Sequence, residues 1–160
     1  MKEINIEIKI QFLQLEELSK EDQELVAVAK KATANSYAKY SHFNVGAALR
    51  LVDGQIIIGA NQENAAFPSG LCAERTAIFA AQANYPAQAV DTLAIAAKNE
   101  YGFTGEPVTP CGACRQVILE IEDRYQHPVR ILLYGTHGVY QMHSVKDLMP
   151  LSFVDENMHK

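Results

Sequence analysis

Cysteine is scarce in this 160-residue chain: only Cys72, Cys111 and Cys114 are present, an odd number that cannot form a complete disulfide set. A disulfide framework is therefore excluded as the basis of the fold, and thiols in a reducing compartment more often bind metal or react. Long apolar runs are missing too. Stretches such as Ile56 to Ile58 and Ile131 to Leu133 fall far short of the roughly 20 residues that span a bilayer. The N-terminus lacks the basic, apolar and small-residue succession of a secretory signal, so no membrane partner is expected and the compartment is read as cytoplasmic. Positive charge is in the minority. The net charge of −5 argues against a nucleic-acid polymer as the partner. No low-complexity run, internal repeat or Pro/Gly/Ser linker divides the chain, and 48% hydrophobic content at this length is enough for one core. The expectation is a single domain over residues 1–160.

What is there alternates between strand and helix signals. Ile4, Ile6, Ile8 and Ile10 alternate with Asn5, Glu7 and Lys9, a period of two that predicts a half-buried strand over residues 3–12. Residues 1–18 are thus expected to form an extra N-terminal strand segment that pairs with a sheet edge or a neighbouring subunit. Ser19 offers an N-cap with Asp22 three residues on, and Leu25, Val28, Ala29 and Ala32 follow at helical spacing. Val45, Ala47 and Leu49 lead through an Asp53-Gly54 turn to Ile56–Ile58, a hairpin pattern. Helices are predicted to begin near Cys72 and near Cys111, strands over 92–97 and 129–134, a further strand over 139–143, and a short helix capped by Ser144 that stops at Pro150. The order implies a three-layer α/β/α sandwich with a mixed β-sheet.

Cys111 and Cys114 form a C-x-x-C pair directly after Pro110. Residues three apart share a helix face, so both thiols can reach one ion. Thioredoxin-like redox centres share that spacing, and the third cysteine discriminates. Cys72 begins its own predicted helix, so sulfurs arriving from two helix starts would hold an ion on three sides. Structural zinc sites close with four protein ligands, whereas catalytic ones keep three and an open position. The histidines, His42, His127, His137, His143 and His159, are scattered and none is expected as a fourth ligand. Three thiolates leave a divalent ion with a net charge of −1. Arg75, one residue past Glu74 in the same predicted first turn, is the candidate donor to a sulfur, and Glu74 is expected beside the open position, where a carboxylate can carry a proton.

The strings Cys72-Ala73-Glu74-Arg75 and Pro110-Cys111-Gly112-Ala113-Cys114 closely resemble the cytidine deaminase family. The likeness runs from about Tyr37 to Phe153 and includes Tyr40 to Leu49, Asn61 to Ala65 and Leu148-Met149-Pro150. It implies one Zn2+ per chain on Cys72, Cys111 and Cys114, and hydrolytic replacement of the 4-amino group of cytidine or deoxycytidine, a step of pyrimidine salvage. Glu74 would protonate N3 and then the departing ammonia. The resemblance further places the Ala73 N–H on the ring carbonyl oxygen and the Thr109 carbonyl opposite the leaving amine. It stacks Phe43 on the base and puts Asn61 and Glu63 on the ribose. It implies a homotetramer in which Phe153 completes a neighbour's pocket. Two positions depart from the family pattern: Gln62 replaces an apolar residue and should point away from the ribose pair, and Lys39 replaces a frequent proline. A deaminase of another aminopyrimidine, such as blasticidin S, shares the zinc motif; the Asn61 and Glu63 pair favours a ribose-bearing small molecule.

Overall fold

The computed structural model describes residues 1–159. Among them seven strands form one mixed sheet: β1 (Gln11–Leu13), β2 (Asn44–Leu51), β3 (Ile56–Ala60), β4 (Val90–Asn99), β5 (Gly102–Phe103), β6 (Arg130–Gly135) and β7 (Gly138–Met142). The order across the sheet is β1-β7-β6-β4-β2-β3, with β5 paired to the end of β4. β4 and β6 run parallel and the other neighbours antiparallel. Helices α1 (Lys20–Ala32), α2 (Ala73–Asn84) and α3 (Gly112–Tyr125) cover it.

Successive strand residues face opposite sides of the sheet, and this alternation separates two cores. Leu25, Val26 and Ala29 of α1 pack with Ala48, Ala94, Ala96 and Leu132 on one face. On the other, α2 and α3 bury Ala77, Ile78, Ile118 and Ile121 against Ala47, Leu49, Leu93, Ile95 and Leu133. The expected three layers are present. Ser19 caps α1 by accepting the Asp22 N–H at 3.2 Å, β2 and β3 form the expected hairpin around Asp53 and Gly54, and Cys72 and Cys111 are the N-cap residues of α2 and α3.

The N-terminal strand is much shorter than its pattern predicts. Only Gln11–Leu13 joins the sheet, opposite Val139–Gln141 of β7; residues 1–10 are exposed and enter no helix or strand. The physical reason is that β7 ends at Met142, so beyond Gln11 the sheet offers hardly any ladder to extend. The short helix after Ser144 is a single 3-10 turn, Val145–Leu148. It is fastened by the buried Glu122, whose carboxylate accepts the N–H groups of Val129 at 3.0 Å and Val145 at 2.9 Å and the Ser144 hydroxyl at 2.8 Å.

Two glycines set how closely helices approach the sheet. A methyl on Gly59 of β3 would lie 2.5 Å from the Ala77 amide nitrogen and would also strike the Ala73 carbonyl; one on Gly46 of β2 would lie 2.7 Å from the Thr33 amide nitrogen and would also strike the Ala29 carbonyl. These neighbours are backbone and cannot rotate away. Gly59→Ala is therefore expected to cost about 1–3 kcal/mol and, because α2 begins with a candidate ligand, to lower zinc content as well. Thermal melting and metal analysis check this, and an unchanged melting temperature would show that α2 relaxes freely.

Candidate metal centre

The ends of α2 and α3 meet at this centre. Cys72 and Cys111, as N-cap residues, lie ahead of the first turns, and neither makes a side-chain cap hydrogen bond. Cys114 and Glu74 sit within those first turns. The three sulfurs lie within 4.8 Å of one another, and Cys72 Sγ to Cys111 Sγ is 3.8 Å. A tetrahedral zinc with Zn–S bonds of about 2.3 Å requires sulfurs about 3.8 Å apart, so the donor set fits that ion by type and spacing. Among the described residues no histidine joins the cluster.

Electrostatics follow from this crowding. The Cys114 thiol donates to the Cys72 sulfur; although burial opposes it, this bond, with Arg75 Nη2 at 3.5 Å, holds Cys72 down at about 5. Cys114 is correspondingly pushed up as the proton holder. Arg75 is held in its charged form by both sulfurs, as its position one residue after Glu74 suggests. The Glu74 side chain is buried, 5% exposed. Burial raises its carboxyl above the ordinary value, the charge on Cys72 adds to this, and the hydrogen bond from its own N–H and the nearby Arg75 charge act the other way.

Next to the sulfurs opens a cleft of about 370 Å³ lined by Asn61, Glu63, Phe67, Leu71, Cys72 and Arg75, among others. The chain after β3 is laced into place there. Gln62 and Leu71 exchange both backbone bonds at 2.9 Å, while Tyr37 N–H donates to the Asn61 carbonyl and Glu63 N–H to the Tyr37 carbonyl. Asn61 and Glu63 both turn toward the 40–45 segment: Asn61 donates to the Phe43 carbonyl at 2.9 Å and accepts from Val45 N–H at 2.8 Å. The Gln62 amide donates to the Asn35 and Ala60 carbonyls, and Gln62 also lines the cleft beside Asn61 and Glu63.

The other expected residues differ in placement. Phe43 is half-buried, and its carbonyl accepts from the cleft residue Asn61 at 2.9 Å. Ala73 is buried at the start of α2, and Thr109 is exposed two residues before Cys111. Phe153 is 58% exposed and is held by Gln116 Nε2 donating to its carbonyl at 3.0 Å.

Four further residues, to which the sequence assigns no role, contribute. Ser41 donates N–H and hydroxyl bonds to Glu63, with the Tyr40 N–H at 2.9 Å; the Ser41 hydroxyl is the main reason that the Glu63 carboxyl lies below its ordinary value. Tyr40 and Phe67 form an edge-on pair at 6.2 Å on the rim. Arg115 donates to the carbonyls of Pro110 at 2.8 Å and Leu148 at 2.9 Å, joining the segment before Cys111 to the C-terminal stretch. A serine ahead of a turn was a usable signal for Ser41; nothing local marks Arg115.

Residues 19–126 match the family model for the cytidine and deoxycytidylate deaminase zinc-binding region. The chain belongs to this family. It is 41% identical over 137 residues to a cytidine deaminase of Halalkalibacterium halodurans, covering 86% of this chain and 97% of that one. To a cytidine deaminase of Sporosarcina psychrophila it is 39% identical over 136 residues, 85% and 93% of the two chains. The crystal structure of cytidine deaminase from Burkholderia pseudomallei superposes with a TM-score of 0.69 at 36% identity, covering 81% of this chain and 97% of that one. In this deaminase family member one zinc ion per chain fits the three-cysteine cluster. Among the described residues no helix is long and apolar enough to cross a membrane.

Proposed function

We propose that the chain hydrolyses cytidine and deoxycytidine to uridine and deoxyuridine with release of ammonia, a reaction of pyrimidine salvage. One observation carries the reading: three thiol ligands from two helix starts hold one face of a cation site, with the buried Glu74 carboxyl against Cys114. A structural site would close on a fourth ligand and would have no use for that acid.

When bound, zinc supplies Lewis-acid activation of the attacking water. Glu74 does the proton work. It takes a proton from that water, delivers it to N3 of the ring, and carries the second to the amine leaving C4, so that water is consumed and ammonia is released. Burial assists, because a carboxyl that favours its neutral form can hold the proton between these transfers. The Ala73 N–H, one of the α2 first-turn amides with no intrahelical acceptor, donates to the ring carbonyl oxygen. The Thr109 carbonyl accepts from the leaving amine, Phe43 stacks on the base, and Asn61 and Glu63 bind the ribose hydroxyls. Arg75 offsets the excess negative charge of three thiolates. Ammonia release from cytidine, deoxycytidine and blasticidin S, measured beside zinc content, tests the assignment; turnover of blasticidin S alone would overturn the nucleoside reading.

The finer reading is a cytoplasmic homotetramer in which Phe153 of one chain completes a neighbour's pocket. An aromatic ring 58% exposed, on a segment tied to α3 through Arg115 and Gln116, supports the shared pocket. Phe153→Ala is expected to raise KM several-fold and leave the melting temperature nearly unchanged. Steady-state kinetics and calorimetry decide, and an unaltered KM counts against the shared pocket.

A further inference from the structure

We infer that the N-terminal arm, residues 4–12, is a self-complementary strand that pairs antiparallel with the same arm of a second copy of this chain. The arm carries Ile4, Ile6, Ile8, Ile10 and Phe12 at every second position. In extended chain they share one face, and they are 44–70% exposed. Glu7 and Lys9 lie on the other face, 4.0 Å apart and largely solvated. Phe12 is anchored where Gln11–Leu13 pairs with β7, its ring 5.3 Å from that of Tyr140. β1 is the terminal strand of the sheet, so its second edge is free for another strand.

The spacing selects one occupant and one register. Residues directly opposite in an antiparallel pair share a face, and the five apolar positions are symmetric about Ile8. Only the register that sets Ile8 against Ile8 matches all five, giving Ile4 with Phe12 and Ile6 with Ile10. That same register places Glu7 opposite Lys9 twice and Asn5 opposite Gln11. Sliding by one residue in the sum of the paired numbers puts apolar side chains opposite polar ones. Sliding by two sets Glu7 against Glu7 or Lys9 against Lys9, as does parallel pairing for both, and like charges directly opposed are destabilising. The pairing is isologous, as a two-fold contact requires, and it joins two sheets through their β1 edges.

Single cysteines in the zinc-loaded, full-length chain read the register. Opposed Cβ atoms in a strand pair are about 5 Å apart, near enough for a disulfide after slight adjustment. Under mild oxidation Ile8→Cys is expected to give a dimer linked 8 to 8, located by mass spectrometry of the joined peptides. Ile6→Cys alone stays unlinked, whereas Ile6→Cys mixed with Ile10→Cys links 6 to 10. In the Ile8→Cys background at low salt, Glu7→Lys and Lys9→Glu each reduce the linked fraction several-fold. Mixing those two variants restores it as a heterodimer. No linkage in either the 8–8 or the 6–10 experiment, linkage of Ile6→Cys to itself as readily as Ile8→Cys, or no recovery on mixing overturns the inference.

Discussion

Glu74→Gln is expected to lose at least about 10²–10⁴-fold in kcat, the range that positioned proton transfer contributes, while zinc content and melting temperature hold. Glutamine keeps the shape of the side chain and its ability to hydrogen-bond, but it cannot take a proton from water and return it to N3 or to the leaving amine. The fold should tolerate the change because the site is buried and already favours a neutral group there: burial raises the carboxyl, and the Cys72 charge adds to this. Ammonia release per zinc-loaded chain is the measurement. Activity within tenfold of the parent would remove Glu74 as the proton carrier, and loss of zinc would make the residue a support of the metal site instead.

Asp22→Ala is expected to have the largest effect on stability, about 3 kcal/mol. Asp22 is buried, 4% exposed, and receives Arg130 Nη2 at 2.6 Å and Arg50 Nη2 at 2.9 Å. Removing it leaves Arg130 without its anion and Arg50 with only Asp91 at 3.4 Å, the two guanidinium groups meeting at the Thr92 hydroxyl; breaking such a buried pair costs about 3–5 kcal/mol, and partial solvation of Arg130 together with the remaining Asp91 contact sets the low end. Burial by itself would push the Asp22 carboxyl up, but the hydrogen bonds from Arg130 and Arg50 outweigh it and hold the group below its ordinary value. The sign follows. A depressed carboxyl contributes stability that is fully present above the unfolded value of about 3.9 and is lost as pH falls through the lower folded value. Urea denaturation of the parent and Asp22→Asn should therefore differ at pH 7 and converge in strong acid. A gap that does not change with pH would assign the cost to packing.

The helices were legible because their signals are local: a serine three residues before the Asp22 amide, apolar residues at helical spacing, and cysteines just ahead of two alanine-rich or aliphatic runs. Central strands were legible for the same reason, since alternation in β2 and continuous apolar character in β6 reflect one or two buried faces. The arm misled because periodicity reports an apolar face and not what covers it; within one chain, β7 is too short to pair with Ile4 to Ile10. At the metal centre the three-cysteine cluster was readable from spacing and resemblance. The supports were not. Glu122 stapling Val129 to Val145, and Arg115 bridging Pro110 to Leu148, join residues far apart in sequence and leave no local pattern.

Gly46 and Gly59 sit on neighbouring strands, one opposite Ala60 and the other opposite Ala47, and they admit α1 from one side and the first turn of α2 from the other. At that spot the three layers touch main chain to main chain, with no pliable side chain between them to absorb a displacement. Bulk introduced on the α1 side, remote from the cleft, would be passed through the sheet to the turn that carries Glu74. The geometry of the metal centre is thus partly set from the back of the molecule.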